Sequence, residues 1–384
     1  MADAGPLSTE ASGPVRALIT GFPRLLARGL CRRGLNLHPD THIRLLASPD
    51  QAEAARLFVA DLPVDLQPRI EVLIGRPGDV DLGLPGKVVQ ALVEETTHIF
   101  HAAAEQHGPR RSLRQTNVVG LANLLSMARD LPALQRLSVF STAFVSGDRR
   151  GLIQEEELAA NQRFNSAFEE TMFEAEQLAR SMMPRLPISV LRPSAMIGHS
   201  RTGESEGLTE GPNYLVRLMV RLPADVPFLL PGRGVVPFNI VPVDYVVQAA
   251  WVIAQAPEAR GRTFHLTDPN PVSAREACQL LGELAANRPA PLRAHWPLRV
   301  AGKLLQWTGL ERFAPDQVAL LHDLTRQVTY GCAGALEVLA RSGVVCPPFE
   351  AYADALVAWV AWYERESRSQ GGWPTGDATD RKDA

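Results

Sequence analysis

The chain has 384 residues, of which 46% are hydrophobic and 21% charged, with a formal net charge of −3. That length buries one large core or two fused ones, and that charge excludes bulk electrostatic binding to nucleic acid. Four cysteines without a Cys-x-x-Cys pair, an N-terminus without a basic-then-apolar signal pattern, and no uncharged apolar run of the ~18 residues a span needs all point to a cytoplasmic protein with no membrane span. Val15 to Thr20 is a short apolar run ending in Thr-Gly, which predicts a buried parallel strand. Pro23 stands where a helix begins and Gly34 where it closes. Strands are then expected at His42–Ala47, Ile70–Ile74, Thr97–His101, Leu137–Ser141 and Ile188–Arg192. Helices are expected between them at Glu53–Ala60, Gly86–Glu95, Asn117–Asp130 and Phe164–Met183.

This alternation predicts an α/β fold, a doubly wound parallel sheet of Rossmann type, with a smaller and mostly helical C-terminal region. The expected organisation is a disordered lead over 1–14, the sheet domain over 15–200, a substrate-type region over 201–366 and a disordered tail over 367–384. Within the substrate-type region, residues 200–212 read as a loop. Asn239–Asp244 and the helix after it read as a return to the core sheet, and Phe264–Thr267 as a late strand. Residues 275–366 read as mostly helical.

Several segments resemble one family in order and spacing: Thr97-His-Ile-Phe-His-Ala-Ala-Ala104, Thr116-Asn-Val-Val-Gly120, Ser141-Thr-Ala-Phe-Val145, Leu191-Arg-Pro-Ser194, Gly198-His-Ser-Arg-Thr-Gly203 and Val241-Pro-Val-Asp244. The chain resembles the extended short-chain dehydrogenases, most closely the thioester reductase and fatty-acyl reductase branch, over roughly residues 15–360. The resemblance implies NADPH as hydride donor and a carrier-bound or CoA-bound acyl thioester as substrate.

Carried over position by position, that implication weakens. The active-site helix of the family reads Tyr-x-x-x-Lys, a phenol that protonates the carbonyl beside a lysine that lowers its pKa. Here those positions hold Phe168 and Met172. The first tyrosine of the chain is Tyr214, and no lysine lies between Lys87 and Lys303. The phosphate-loop pattern Thr-Gly-x-x-Gly-x-x-Gly becomes Thr20-Gly21-Phe-Pro-Arg24-Leu-Leu-Ala27. Gly21 survives and Ala27 is a tolerated third position. Arg24 stands where a glycine lets the backbone approach a pyrophosphate; it either fills that site or swings out to pair with a phosphate. The acid expected after strand two is replaced by Ala47-Ser-Pro-Asp50, with Asp50 read as a solvated turn residue. The Gly-Asp pair after strand three becomes Gly75-Arg76, with Asp79 displaced by three residues. What remains is His101-Ala102 at the end of strand four, Asn117, Thr142 in the place of the hydroxyl that bonds the substrate carbonyl, and Pro193. Phe144 replaces a common tyrosine near Thr142.

Other constellations have blander readings. His98 and His101 lie on one strand at a spacing that points them apart, so a metal site is not expected. Ser141 lacks a nucleophile elbow. Glu169, Glu170, Glu174 and Glu176 read as a solvated helix face. His295–Gly309, with Trp296 and Trp307, and the Trp359, Trp362, Tyr363 group read as packing. The leading expectation is a pseudoenzyme that binds an acyl or other hydrophobic small molecule or a partner reductase, with no nicotinamide cofactor or a weakly held one. The alternatives are a divergent NAD(P)-dependent reductase and a structural partner, as homodimer or as heterodimer with an active reductase.

Overall fold

The computed structural model describes residues 14–209, 211–221, 229–231, 234–286, 292–294 and 324–369. All but the last residue of the expected lead, most of the expected tail and His295–Gly309 lie outside the described residues. The strands in chain order are β1 (Arg16–Thr20), β2 (His42–Ala47), β3 (Ile70–Ile74), β4 (His98–His101), β5 (Arg136–Phe140), β6 (Gly151–Ile153), β7 (Ile188–Pro193), β8 (Ala195–Ile197), β9 (Leu229–Pro231), β10 (Ile240–Pro242), β11 (Thr263–Leu266), β12 (Leu292–Ala294) and β13 (Val328–Tyr330). Seven of them form one sheet in the order β11-β7-β5-β4-β1-β2-β3, and every pairing in it is parallel. The order reverses between β1 and β4, which is where a doubly wound sheet opens a crevice at its strand ends.

Helices cover both faces, as an all-parallel sheet requires. On one face lie α1 (Leu25–Leu37), α2 (Ala52–Ala60) and α8 (Val243–Gln255), packed with Leu30, Phe58 and Trp251 into one core cluster. On the other lie α3 (Gly86–Glu95), α5 (Gly120–Ala128) and α6 (Ala167–Met182), packed through Leu92, Leu124 and Ala179. Between α3 and α5 runs α4 (Arg110–Arg114), joined to α5 by one π-helical turn over Gln115–Val119. A third core cluster unites α7 (Gly211–Arg221), α9 (Ala274–Ala286) and α11 (Ala353–Ser369), with β8 and β10 beside it. Among the described residues a further helix, α10 (Ala333–Leu339), packs on the α8 side.

The sheet strands fall within a residue of their expected places, because most are short runs rich in apolar residues, with the central strands buried on both faces. Three readings differ. Gly34 does not end α1, which runs on to Leu37; a Cβ at Gly34 would collide with the Trp251 ring, so this glycine serves the close contact of α1 with α8. The Trp251 Nε1–H donates to the Leu30 carbonyl at 3.0 Å across the same contact. Asn239–Asp244 does not rejoin the main sheet. Its strand, β10, pairs with β8 in a separate two-stranded sheet, where Ile240 faces Ala195. Trp362 is exposed rather than packed, whereas Trp359 stacks on Tyr363.

Candidate active site

The crevice at the C-terminal ends of β1, β4 and β5 is built by side chains that tie the strand ends together. The Thr20 hydroxyl accepts the Ala103 amide at 3.2 Å and shares a 3.0 Å hydrogen bond with His101 Nδ1. Gly21 has a φ of +98°, and a Cβ there would lie 2.5 Å from the Ala102 carbonyl oxygen. Only glycine allows the chain to leave β1 in that direction with β4 so near. Asn117, in the π turn, accepts the Glu105 amide at 2.8 Å and donates to the Glu105 carbonyl and to Thr171 on α6, each at 3.0 Å. It thereby fixes the segment after β4 against the active-site helix.

On the β5 side, Thr142 is buried and its hydroxyl oxygen accepts the Phe144 amide at 3.3 Å, so its hydrogen is free to be offered elsewhere. Ser166 caps α6, its hydroxyl accepting the Glu169 amide at 3.2 Å. The first turns of α6 then present Phe168, half-buried, and Met172, which is 5% exposed. Met172 lines a narrow cleft with His101, Asn117, Ser141 and Glu176. Pro193 is buried at the end of β7.

Two carboxylates expected on a solvated face of α6 are buried instead. Glu169 pairs with Arg326 at 2.6 Å, and that guanidinium lies 4.6 Å from the centre of the Phe144 ring. Glu176 pairs with Arg192 of β7 at 2.6 Å, with both side chains at most 1% exposed. Glu176 also accepts from Ser141 at 2.7 Å and from Arg180 at 2.8 Å. Burial is the largest influence on Glu176 and opposes its charge, but the Arg192 and Arg180 guanidiniums and the Ser141 hydroxyl together outweigh it and hold the carboxyl below the usual range. Arg192 extends the network by donating to His265 Nε2 at 3.1 Å, while His265 Nδ1 faces the Gly331 carbonyl at 2.7 Å. Nδ1–H is therefore the proton that neutral His265 carries. A helical charge run hides this pair from sequence reading; the signal available was the arginine inside the apolar run Ile188–Pro193.

The phosphate end of the crevice is built by α1. Arg24 is its N-cap residue, and the Arg24 amide donates to the Gly21 carbonyl at 3.1 Å. Its side chain is one-third exposed and lies 4.0 Å from Glu206 Oε1. The Leu25 amide donates to Glu206 Oε2 at 2.7 Å. A helix N-terminus attracts anions through its free N–H groups and its dipole, and here a carboxylate stands in for one. The residues present thus fit a diphosphate at this point. Ala27 is buried in the first turn. At the adenosine end, Asp50 and Arg76 pair with each other at 2.9 Å, both more than half exposed, and Asp50 is thus paired rather than merely solvated. Among the described residues no group of three His, Cys, Asp or Glu side chains could hold a metal ion. No helix among them is long and apolar enough to cross a membrane.

His98, His101 and His265 are buried, and burial is the first cause that lowers each to about 4; Arg136 beside His98 and Arg192 beside His265 add to it. An unfolded histidine titrates near 6.5. Between those values the unfolded chain binds more protons, so this stability is complete above about pH 6.5 and drains away as pH falls toward 4. The limit is about 3 kcal/mol per histidine. Urea midpoints followed by circular dichroism are expected to fall steadily from pH 7 to pH 4. A midpoint unchanged over that window would show that these rings are not held neutral.

A parallel sheet opened at its switch point, a glycine turn against β4, an anion-accepting helix start and a buried threonine just past β5 define a nucleotide-binding fold of short-chain dehydrogenase type. The chain belongs to the male sterility protein family of NAD-binding domains, whose model matches residues 19–250. It is 22% identical over 260 residues to a putative fatty acyl-CoA reductase of Drosophila melanogaster, covering 58% of this chain and 47% of that protein. It is 28% identical over 218 residues to the aldehyde reductase lnbA of Aspergillus flavus, covering 52% of this chain and 20% of that protein. The chain thus spans less than half the length of either relative. Among solved structures, the terminal R domain from the myxalamid PKS-NRPS biosynthetic pathway superposes with a TM-score of 0.75 at 23% identity, covering 96% of this chain and 94% of that one. These relatives bear the names of reductases, which favours the divergent-reductase alternative over the pseudoenzyme expected first.

Proposed function

We propose that the protein is a divergent NAD(P)-dependent reductase acting on an acyl thioester or an aldehyde. The observation that carries this reading is the carboxylate held at the N-terminus of α1, just beyond a glycine turn packed against the end of β4. In this reading the Leu25 amide and the Arg24 guanidinium hold the diphosphate of the nucleotide, and Gly21 keeps the β1 turn clear of β4. The nicotinamide, when bound, supplies hydride to the carbonyl carbon. Thr142 donates its hydroxyl hydrogen to the carbonyl oxygen, stabilising the negative charge that develops there. Phe168 and Met172 make an apolar wall on α6, which keeps water from the reacting carbon but offers no proton. For an aldehyde substrate the proton that completes the alcohol comes from solvent through Thr142; for a thioester the oxyanion instead collapses to the aldehyde with cleavage of the C–S bond, and the departing thiolate takes its proton from solvent.

One observation favours a second reading, a non-catalytic subunit that binds an acyl ligand or a partner reductase: the two family positions that carry acid and ammonium hold Phe168 and Met172. The two readings separate in one assay. NADPH oxidation followed at 340 nm with a long-chain acyl-CoA, and separately with a long-chain aldehyde, is expected to show slow turnover. Loss of a positioned general acid costs roughly 10²- to 10⁴-fold, so the rate is expected far below that of a Tyr-Lys reductase but above the protein-free control. Nucleotide binding without turnover for either substrate would move the assignment to the non-catalytic subunit.

A further inference from the structure

We propose that Glu206 is a gate on the nucleotide site, an internal carboxylate that occupies the phosphate-binding end of α1 and must leave before a dinucleotide binds. The inference deepens the reductase reading and rests on it. Glu206 lies 181 residues from Leu25 in sequence, so the 2.7 Å bond between them is a deliberate tertiary contact rather than a local cap. The segment that carries it is fastened close by. Asn213, on the first turn of α7, donates to the Glu206 carbonyl at 2.9 Å and accepts the Gly198 amide at 3.3 Å. Two residues earlier in the same segment, Glu204 pairs with Arg28, one turn further along α1, at 3.0 Å. Residues 204–206 therefore lie along the start of α1, with Glu206 at the helix end and Glu204 behind it.

The geometry suits a contact that opens. Glu206 is 32% exposed, so its carboxylate can turn to water without crossing a dry interior. Gly203, packed against the Ala355 carbonyl, holds the near end of the segment in place, whereas Gly207, with a φ of +63°, follows Glu206 directly, so that the carboxylate can swing out by side-chain rotation while its backbone stays on the Asn213 anchor. A carboxylate and a diphosphate ask for the same donors, an N–H at a helix start and a guanidinium. The diphosphate brings more charge to Arg24. It displaces the carboxylate, but its apparent affinity is lowered by the fraction of molecules in which the site is closed. Arg24 therefore has a role in both states, paired with Glu206 when the site is closed and with phosphate when it is open.

The test is calorimetric titration of the full chain with NADPH and with NADP+, comparing wild type with Glu206→Gln and Glu206→Ala, and with Glu204→Gln as control. Both Glu206 changes are expected to tighten binding by about tenfold, the closed-site penalty that a gate populated in about nine of ten molecules imposes. Glu204→Gln, which removes the pair with Arg28 but leaves Glu206 on the Leu25 amide, is expected to tighten binding less than either Glu206 change. Wild type that binds while both Glu206 variants bind equally or more weakly overturns the gate and leaves the reductase reading standing. Failure of wild type and both variants to bind at millimolar nucleotide overturns both. Should either neutral variant fold poorly, Glu206→Asp keeps the charge but draws it back by a methylene, and the same tightening is expected.

Discussion

Replacing Arg192 by methionine is expected to cost the fold about 3–5 kcal/mol, enough to leave it barely stable, because it strands a buried carboxylate. Arg192 reaches both oxygens of Glu176, at 2.6 Å and 2.9 Å, and its other donors meet the Glu157 carbonyl at 2.8 Å and His265 at 3.1 Å. Arg180 and Ser141 still reach Glu176, so the loss belongs at the lower end of that range. The double variant Arg192→Met, Glu176→Leu is expected to recover part of it, since two apolar groups leave no orphaned charge. Urea unfolding at pH 7 reads both. A loss below about 1 kcal/mol for Arg192→Met would mean that the pair is hydrated and does not brace the site. The consequence reaches Thr142 directly: the carboxylate holds Ser141, the residue before it, so the threonine expected to meet the carbonyl is positioned from α6 and β7 together.

The sheet was legible because most of its strands are short runs rich in apolar residues, whereas the site positions Gly21, Thr142, Phe168 and Met172 follow from the resemblance to the short-chain dehydrogenases. What the sequence hid are contacts made between distant segments. Gly34 looked like a helix stop because glycine commonly ends helices; it is instead the notch into which Trp251 fits. Glu176 looked solvated because its helix is rich in glutamate; its partner is on a strand that pattern reading treats as wholly apolar. Glu206 sits in a run of glycine, serine and glutamate that reads as loop, and nothing local marks one of its acids as the cap of a helix far upstream. At Arg24 the sequence shows only the phosphate as a partner, since the competing carboxylate of Glu206 becomes visible only in the fold, where it meets the start of α1.

Writing a tyrosine and a lysine back onto α6 is expected to raise kcat/KM for thioester or aldehyde reduction by about 10²- to 10⁴-fold in the double variant Phe168→Tyr, Met172→Lys, the range a positioned general acid contributes. The single changes are expected to behave differently. Phe168→Tyr alone adds a phenol with a pKa near 10, a poor proton donor near neutral pH without a neighbouring cation, and should change the rate by less than about tenfold. Met172→Lys alone places an ammonium where the side chain is 5% exposed. The cleft around it holds Glu176, but that carboxylate is already engaged by Arg192 and Arg180. Burying a charge without a partner is destabilising, so this variant is expected to melt earlier than wild type. An unchanged melting temperature would show the position to be solvated. Initial rates of NADPH oxidation, with nucleotide affinity measured in parallel, test the rest. A double variant that binds nucleotide yet turns over no faster than wild type would sink the reductase reading, because Thr142 and the crevice would then fail to place a carbonyl within reach of the restored phenol.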